Sequence, residues 1–228
     1  MIEIKDLDDN KIYNYLGYKQ GESVITDHIS SLVQRAKEEV ISKSEPRAIF
    51  SRTIPISHQE NKLYAENILL EGEDIKAHLE SCWGAIFMAT TIGEGIDRLI
   101  RTQEARDMTY AVILDSCSSV MVEAVADDFE KEKRNEIISR GEYLTSRYSS
   151  GYGDFPISFN SKLMAILDAQ RKIGLSVTDS GIMLPRKSIS GVYGVSKVDV
   201  KGKMAGCKSC ALRDKCLFRR ENKSCGDI

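Results

Sequence analysis

The chain has 228 residues and carries 32 basic against 34 acidic side chains, a net charge of −2 that argues against broad nucleic-acid binding, which needs a basic footprint. An apolar share of 42% is ordinary for a globular protein, and the length suffices for one substantial core, or for one domain with a small appendage. The opening Met1-Ile2-Glu3-Ile4-Lys5-Asp6 has neither the basic head nor the apolar stretch of a signal peptide, and the longest apolar run, near Trp83 to Ile92, is about half of what a membrane span needs; a cytoplasmic protein with no membrane and no nucleic-acid partner is expected.

Residues 1–20 read as a short strand and a short helix. From Glu22 to Ser42 a helical period appears, with Val24, Ile25, His28, Ile29, Leu32, Val33, Ala36, Val40 and Ile41 recurring at three- and four-residue steps. Arg47 to Ile56 is β-like, Lys62 to Leu70 suggests one or two short strands, and Asp74 to Ser81 a short helix. Trp83 to Thr91 is almost uniformly apolar, as a strand buried on both faces is. After Gly93 and Gly95 a helix is predicted to Arg106. A long one follows over 108–140, with Ala111, Leu114, Ser118, Met121, Val125 and Phe129 on one face and a solvated, charged end from Asp127 to Glu136. Tyr143 to Tyr148 is strand-like, Ser161 to Lys172 an amphipathic helix stopped by Gly174, and Ser188 to Val200 a strand. Helices mixed with non-alternating strands indicate an α+β fold with a mainly antiparallel sheet. The one clear boundary, near Lys201-Gly202-Lys203, separates residues 1–200 from a Cys-rich tail, 201–228.

Between two helical segments lies Arg147-Tyr148-Ser149-Ser150-Gly151-Tyr152-Gly153-Asp154-Phe155-Pro156. Glycines let backbone approach a ligand closely, and arginine offers a planar fork of donors for a carboxylate or phosphate. The composition fits a Gly-Pro-punctuated loop, or a backbone-lined pocket with one fixed cation.

The order of motifs goes further. R-x-x-x-G-Y-x-x-x-P is followed by Ile173-Gly174-Leu175, Val177-Thr178-Asp179-Ser180, Met183-x-Pro185 and Ser188-Ile189-Ser190-Gly191-Val192-Tyr193. This succession resembles the activation domain of cobalamin-dependent methionine synthase, over roughly residues 115–195. The resemblance implies a curved sheet flanked by helices and a role in reactivation, the S-adenosylmethionine-dependent reductive methylation of an oxidised corrinoid. It implies cofactor binding by Arg147, Ser149, Ser150, Gly151, Tyr152, Gly153, Gly191 and Tyr193. Arg147 would take the α-carboxylate, Tyr193 would close over the ligand, and Tyr152, the one catalytic candidate, would face the corrinoid. Two departures stand out: Ile157-Ser158-Phe159-Asn160 follow the proline where acidic and histidine residues are common, and Val192 replaces an aromatic. For the acidic residue that holds the ligand's ammonium, Glu94 and Asp97 are the sequence candidates. The fused corrinoid, folate and homocysteine modules of methionine synthase do not fit in this length. The cobalamin is therefore expected on a separate corrinoid protein or truncated methionine synthase, with a flavodoxin or ferredoxin as candidate electron donor.

The tail holds Cys207-x2-Cys210-x5-Cys216-x8-Cys225. Four close thiolates suit a [4Fe–4S] cluster or tetrahedral zinc, with free or disulfide-forming thiols as the remaining alternative. Cys82 and Cys117 read as small core residues, and His28, His58 and His78 show no ligand spacing. Two competing functions are a docking or electron-relay protein acting through the cysteines and a free-standing methyltransferase. The second lacks the usual nucleotide-binding glycine pattern.

Overall fold

A computed structural model describes residues 4–18 and 24–203. Two capped helices come first. At α1 (Asp9–Tyr15) the Asp8 carboxylate accepts from the Asn10 N–H at 2.9 Å, and at α2 (Asp27–Lys43) the Thr26 hydroxyl accepts from that of Ile29 at 3.3 Å. Each satisfies an N–H that has no partner within its helix. No strand occurs in residues 4–8, where the sequence suggested one.

The β-like stretch over 47–56 divides into β1 (Arg47–Phe50) and β2 (Ile54–Gln59). Then come β3 (Lys62–Ala65), β4 (Ile68–Leu70), α3 (Glu73–His78), β5 (Gly84–Thr91), α4 (Glu94–Glu104), α5 (Met108–Ile138) and β6 (Tyr143–Leu144). The division between β1 and β2 has a local cause. Both strands pair with β5, one at its end (Phe50↔Met88) and one at its start (Ile54↔Ala85). Between them the Ser51 hydroxyl, in place of a backbone carbonyl, accepts from the Phe87 N–H at 3.0 Å, so the chain kinks without orphaning the ladder. The helix expected over 161–172 is two, α6 (Phe159–Leu167) and α7 (Ala169–Ile173), broken at Asp168, whose φ is +54°; Gly174, at φ +71°, stops α7 as expected. A small hairpin, β7 (Ser176–Val177) with β8 (Met183–Leu184), precedes β9 (Ser188–Ser196).

The main sheet runs β4-β3-β2-β5-β9-β6, with β1 also on β5, and every pairing is antiparallel. It is an open sheet, and the fold is α+β. Its centre is the β5–β9 pair, in register from Gly84↔Val195 to Thr91↔Ser188. All eight residues of β5 are buried. Ala85, Phe87 and Ala89 join a core with α6 and α7, while Ile86 and Met88 join Ala126 and Ile137 of α5. Cover on both faces explains the unbroken apolar run.

The helical spacing predicts one apolar face for α5, but the helix is buried on two sides. Ile113, Leu114, Cys117, Val120 and Met121 pack with α1, α2 and α4, and Ala126 and Ile137 lie on the sheet. By length and composition α5 could cross a membrane, yet 61% of its most apolar window is buried inside the protein, as in the core helix of a globular domain. Cys117 is the core residue expected, its thiol pushed up to about 12 by burial.

His78 ties the end of the described chain to the strand that leads into the motif. Its Nδ1 lies 2.8 Å from the Lys203 carbonyl, and its Nε2 lies 3.0 Å from the Thr145 hydroxyl and from the Ser146 carbonyl. A Cβ on Gly202 would lie within 2.5 Å of the ring, so this crossing needs glycine. Burial lowers the His78 pKa below its ordinary 6.5, against the opposing pull of the two carbonyls. The unfolded chain therefore binds the proton more readily. The contribution to stability is complete above about pH 6.5 and declines as the pH falls below it. Melting temperatures measured from pH 8 to pH 5 should drop more steeply for the wild type than for His78→Gln, which should start lower and vary less. Parallel profiles would show that His78 does not titrate this fold.

Candidate functional site

The motif is placed by β9. The Tyr148 N–H donates to the Val192 carbonyl at 3.0 Å and that of Val192 returns the bond at 2.8 Å, while the Gly194 N–H donates to the Thr145 hydroxyl at 2.9 Å. Between these anchors the Arg147 stem crosses β9 at Gly191. A Cβ there would lie 2.5 Å from Arg147 Cγ and 3.0 Å from Cδ, so glycine makes room for the arginine.

The Arg147 side chain is only 17% exposed, and its guanidinium faces α5. Its Nη2 lies 3.1 Å from Glu123 and 3.5 Å from Asp127. Its Nη1 is 3.5 Å from Glu130, near enough for attraction, yet it is buried without a hydrogen-bond partner among the described residues. Glu123, Asp127 and Glu130 stand at i, i+4 and i+7, one helical face. Glu130 is held in turn by the Tyr193 hydroxyl, which donates at 3.0 Å, and by Arg134 at 2.7 Å. Burial opposes the Arg147 charge, but Tyr193, Glu123, Glu130 and Asp127 outweigh it and raise its pKa. Glu123 is raised, by burial first, with Arg147 pulling the other way.

The loop that follows is anchored at its far end. Phe155 is 1% exposed and its carbonyl accepts from the Gly151 N–H at 2.8 Å. Asp154 accepts from the N–H groups of Glu73 at 2.7 Å and Asp74 at 3.0 Å, capping the start of α3. Gly151 at φ +93° and Gly153 at φ +55° permit the turn. The Ser149 hydroxyl donates to the Ser190 carbonyl at 2.7 Å, whereas the Ser150 hydroxyl is buried without a partner among the described residues. So fixed, the loop leaves Tyr152 57% exposed. Ile157, also exposed, lies close to both Gly151 and Gly181, the neighbours in sequence of the exposed Tyr152 and Ile182.

The structure thus brings Arg147, the Ser149–Gly153 loop and Gly191 together. Tyr193 lies beneath the arginine, fully buried, and not over it. Val192 is also fully buried, on the opposite face of the sheet. Glu94 and Asp97 are engaged elsewhere: Glu94 pairs with Arg98 at 3.1 Å, and Asp97 accepts from the Arg186 N–H at 2.7 Å. The acidic partner of Arg147 is Glu123, joined by Asp127 and Glu130 from a helix end read as solvated. Their helical spacing was the available signal. After the proline, Phe159 is buried, and Asn160 donates to the Gly181 carbonyl at 3.1 Å and accepts from Ser190 at 2.8 Å, so these residues serve the scaffold. Cys207, Cys210, Cys216 and Cys225 lie outside the described residues.

The Gly191 contact can be tested. Gly191→Ala should cost about 1–3 kcal/mol, the range for overpacking a filled site, measured by urea denaturation. In the Arg147→Ala background, where the stem is gone, the same substitution should cost little. An equal cost in both backgrounds would dissociate Gly191 from Arg147.

No curated protein matches the chain. Among solved structures, the one described as "Crystal Structure of the MetH Reactivation Domain bound to AdoHcy" shares the fold, with a TM-score of 0.65 at 16% identity, over 97% of this chain and 83% of that one. The family model described as "Vitamin B12 dependent methionine synthase, activation domain" matches residues 56–199, which include β5, α5, the Arg147 loop and β9, and the chain belongs to that family.

Proposed function

We propose that this chain binds S-adenosylmethionine at Arg147 and presents its methyl group to an oxidised corrinoid carried by another domain or protein. The observation that carries this reading is the Arg147–Glu123 pair, with its partnerless Nη1, and the partnerless Ser150 hydroxyl of the exposed tyrosine loop that follows. Buried polar atoms in a native site are normally satisfied, so two such atoms are a candidate place for a ligand. An α-amino acid carries a carboxylate and an ammonium on one carbon. Arg147 can take the first in a charge-assisted pair and Glu123 the second. The solved relative's ligand, AdoHcy, has the same α-amino-acid end.

In this reading the protein supplies position, not an acid or base. Cob(II)alamin accepts one electron from an external low-potential donor, and the resulting cob(I)alamin takes the sulfonium methyl, leaving S-adenosylhomocysteine and methylcobalamin. Tyr152, with Ile157 and Ile182, offers the apolar face against which a flat corrin can seat. Tyr193, Glu130 and Gly191 hold Arg147 in place from below. Ser149 fixes the loop to β9, and Gly153 turns it back into the core.

The test is spectroscopic. The protein is mixed with a cob(II)alamin-loaded corrinoid protein, a reductant and S-adenosylmethionine, and methylcobalamin is followed. It should form faster with the protein than without it. Arg147→Ala should weaken S-adenosylmethionine binding by about 1.5–3 kcal/mol, as expected for a hydrogen bond to a charged group. Tyr152→Ala should slow methylation more than it weakens binding. No acceleration of any corrinoid protein's methylation would defeat the proposal.

The four tail thiolates are proposed as a metal site. The last described residues run along the strand that enters the motif: the Ser146 N–H donates to the Lys201 carbonyl at 2.8 Å, and Lys203 pairs with Glu80 at 2.7 Å. Cys207 follows four residues later in the sequence. Anaerobic purification should give brown protein with about four irons per chain if they hold a [4Fe–4S] cluster. Stoichiometric zinc would assign a structural knuckle. Metal-free protein with four titratable thiols would remove both assignments.

A further inference from the structure

The face of β9 that receives Arg147 meets α5 at three successive points. In the middle, Arg147 crosses at Gly191 and reaches Glu123 and Asp127. At one end the Tyr193 hydroxyl donates to Glu130 at 3.0 Å. At the other end stands Lys187, the residue just before β9. Its Nζ donates to the Asp115 carbonyl at 3.0 Å and to the Ser119 hydroxyl at 2.9 Å, and lies 2.9 Å from the Asp115 carboxylate. An ammonium has three donors, so each has an acceptor on α5. The side chain is 12% exposed, and its backbone is pinned on both sides. The Arg186 N–H donates to Asp97 at 2.7 Å, and the Lys187 carbonyl accepts from the Ile92 N–H at 3.2 Å.

The outer ties match in length. From Ser119 to Glu130 the helix rises about 16 Å, and from Ser188 to Tyr193 the strand advances about 17 Å. Lys187 and Tyr193 therefore hold α5 in register with β9 over the stretch that carries Glu123, which lies one turn after Ser119. The middle tie is the one a ligand must disturb, because a carboxylate taken by Arg147 competes with Glu123 for the same guanidinium. We propose that Lys187 is a positioning residue of the ligand site. It clamps the Ser119 turn of α5 to the foot of β9, and so keeps Glu123 at the distance from Arg147 that an α-amino acid spans, before and after Arg147 changes partners. This rests on the S-adenosylmethionine reading above, and it adds a residue that acts through Glu123 without touching the ligand. A site held in its binding geometry has less freedom to lose, so the contribution appears as affinity.

Calorimetric titration of the full chain with S-adenosylmethionine tests this, together with methylation rates of a cob(II)alamin-loaded partner measured across S-adenosylmethionine concentrations. Lys187→Met keeps the stem and removes the ammonium. It should weaken S-adenosylmethionine by about three- to tenfold, within the range for coupling inside one network. KM should rise by the same factor while kcat at saturation stays as in the wild type, as for a loss of binding common to ground and transition states. Asp115 lies about 12 Å along the helix from Glu123, out of reach of an amino-acid end bound there. Asp115→Ala should nonetheless reproduce the loss, and the double variant should be no worse than either single one. Melting temperatures report folding separately. Reduced stability with unchanged affinity would make Lys187 a scaffold residue and overturn the inference. So would additive losses in the double variant, or a fall in kcat at constant KM. In each of these cases the wild type still binds and the proposed function stands. If the wild type binds no S-adenosylmethionine, both fall together.

Discussion

An arginine side chain that is only 17% exposed must have its charge neutralised, and the arrangement around Arg147 follows from how that is done. Removing such a charge from water is costly unless partners surround it. The partners come from a single face of α5, where Glu123, Asp127 and Glu130 follow one another at helical spacing. For that face to meet Arg147, α5 must lie along the sheet, and the arginine must cross β9 at a residue without a side chain. Gly191 meets the second need, and Ala126 and Ile137 of α5, packed with Ile86 and Met88, meet the first. The central strand pair is therefore both the core of the fold and the floor on which the charged cluster rests.

Much of this was legible in the sequence. The uniformly apolar Trp83 to Thr91 gave a strand covered on both faces, and Gly174 marked a helix end, because burial and left-handed backbone leave local signatures. The glycine loop and the later Ser-Gly-x-Tyr segment, singled out by their order along the chain, are two stretches that the structure brings together. What failed to show was tertiary. A serine hydroxyl replacing one ladder carbonyl split a strand at Ser51. Asp168, at φ +54°, divided a helix that its periodicity would have continued. The carboxylates of α5 looked like solvated charge because their partner lies at least 17 residues further along the chain. Helical spacing alone cannot tell a face that meets water from one that meets a buried arginine.

Tyr193 shows how a motif residue can take an unexpected role. The resemblance cast it as a lid. The pleat of β9 turns it toward α5, where it is fully buried and its hydroxyl donates to Glu130. Successive residues of a strand face opposite sides, so Val192 faces the other core and Gly191 the same side as Tyr193. Three consecutive positions thus provide room for the arginine, packing beneath the sheet and a fixed carboxylate. The valine that replaces an aromatic removes nothing from the arginine's side of the sheet.

The division of labour between rigid and exposed parts fits a protein whose contribution is placement. The loop from Ser149 to Gly153 is pinned to β9 by Ser149, to α3 by Asp154 and to the core by Phe155, so its backbone has little freedom left. Tyr152 is the large side chain this arrangement leaves outside. A ring held on a fixed backbone loses less freedom when it meets a partner than one on a mobile loop, so more of the contact energy appears as affinity or alignment. Where the bond-making belongs to a cofactor on another domain or protein, that alignment is what the surrounding residues can contribute. The same reasoning accounts for the ion pairs around α1. Lys37, bound to Asp6 and Asp9, fixes against α5 a helix of seven residues that could not hold its own shape.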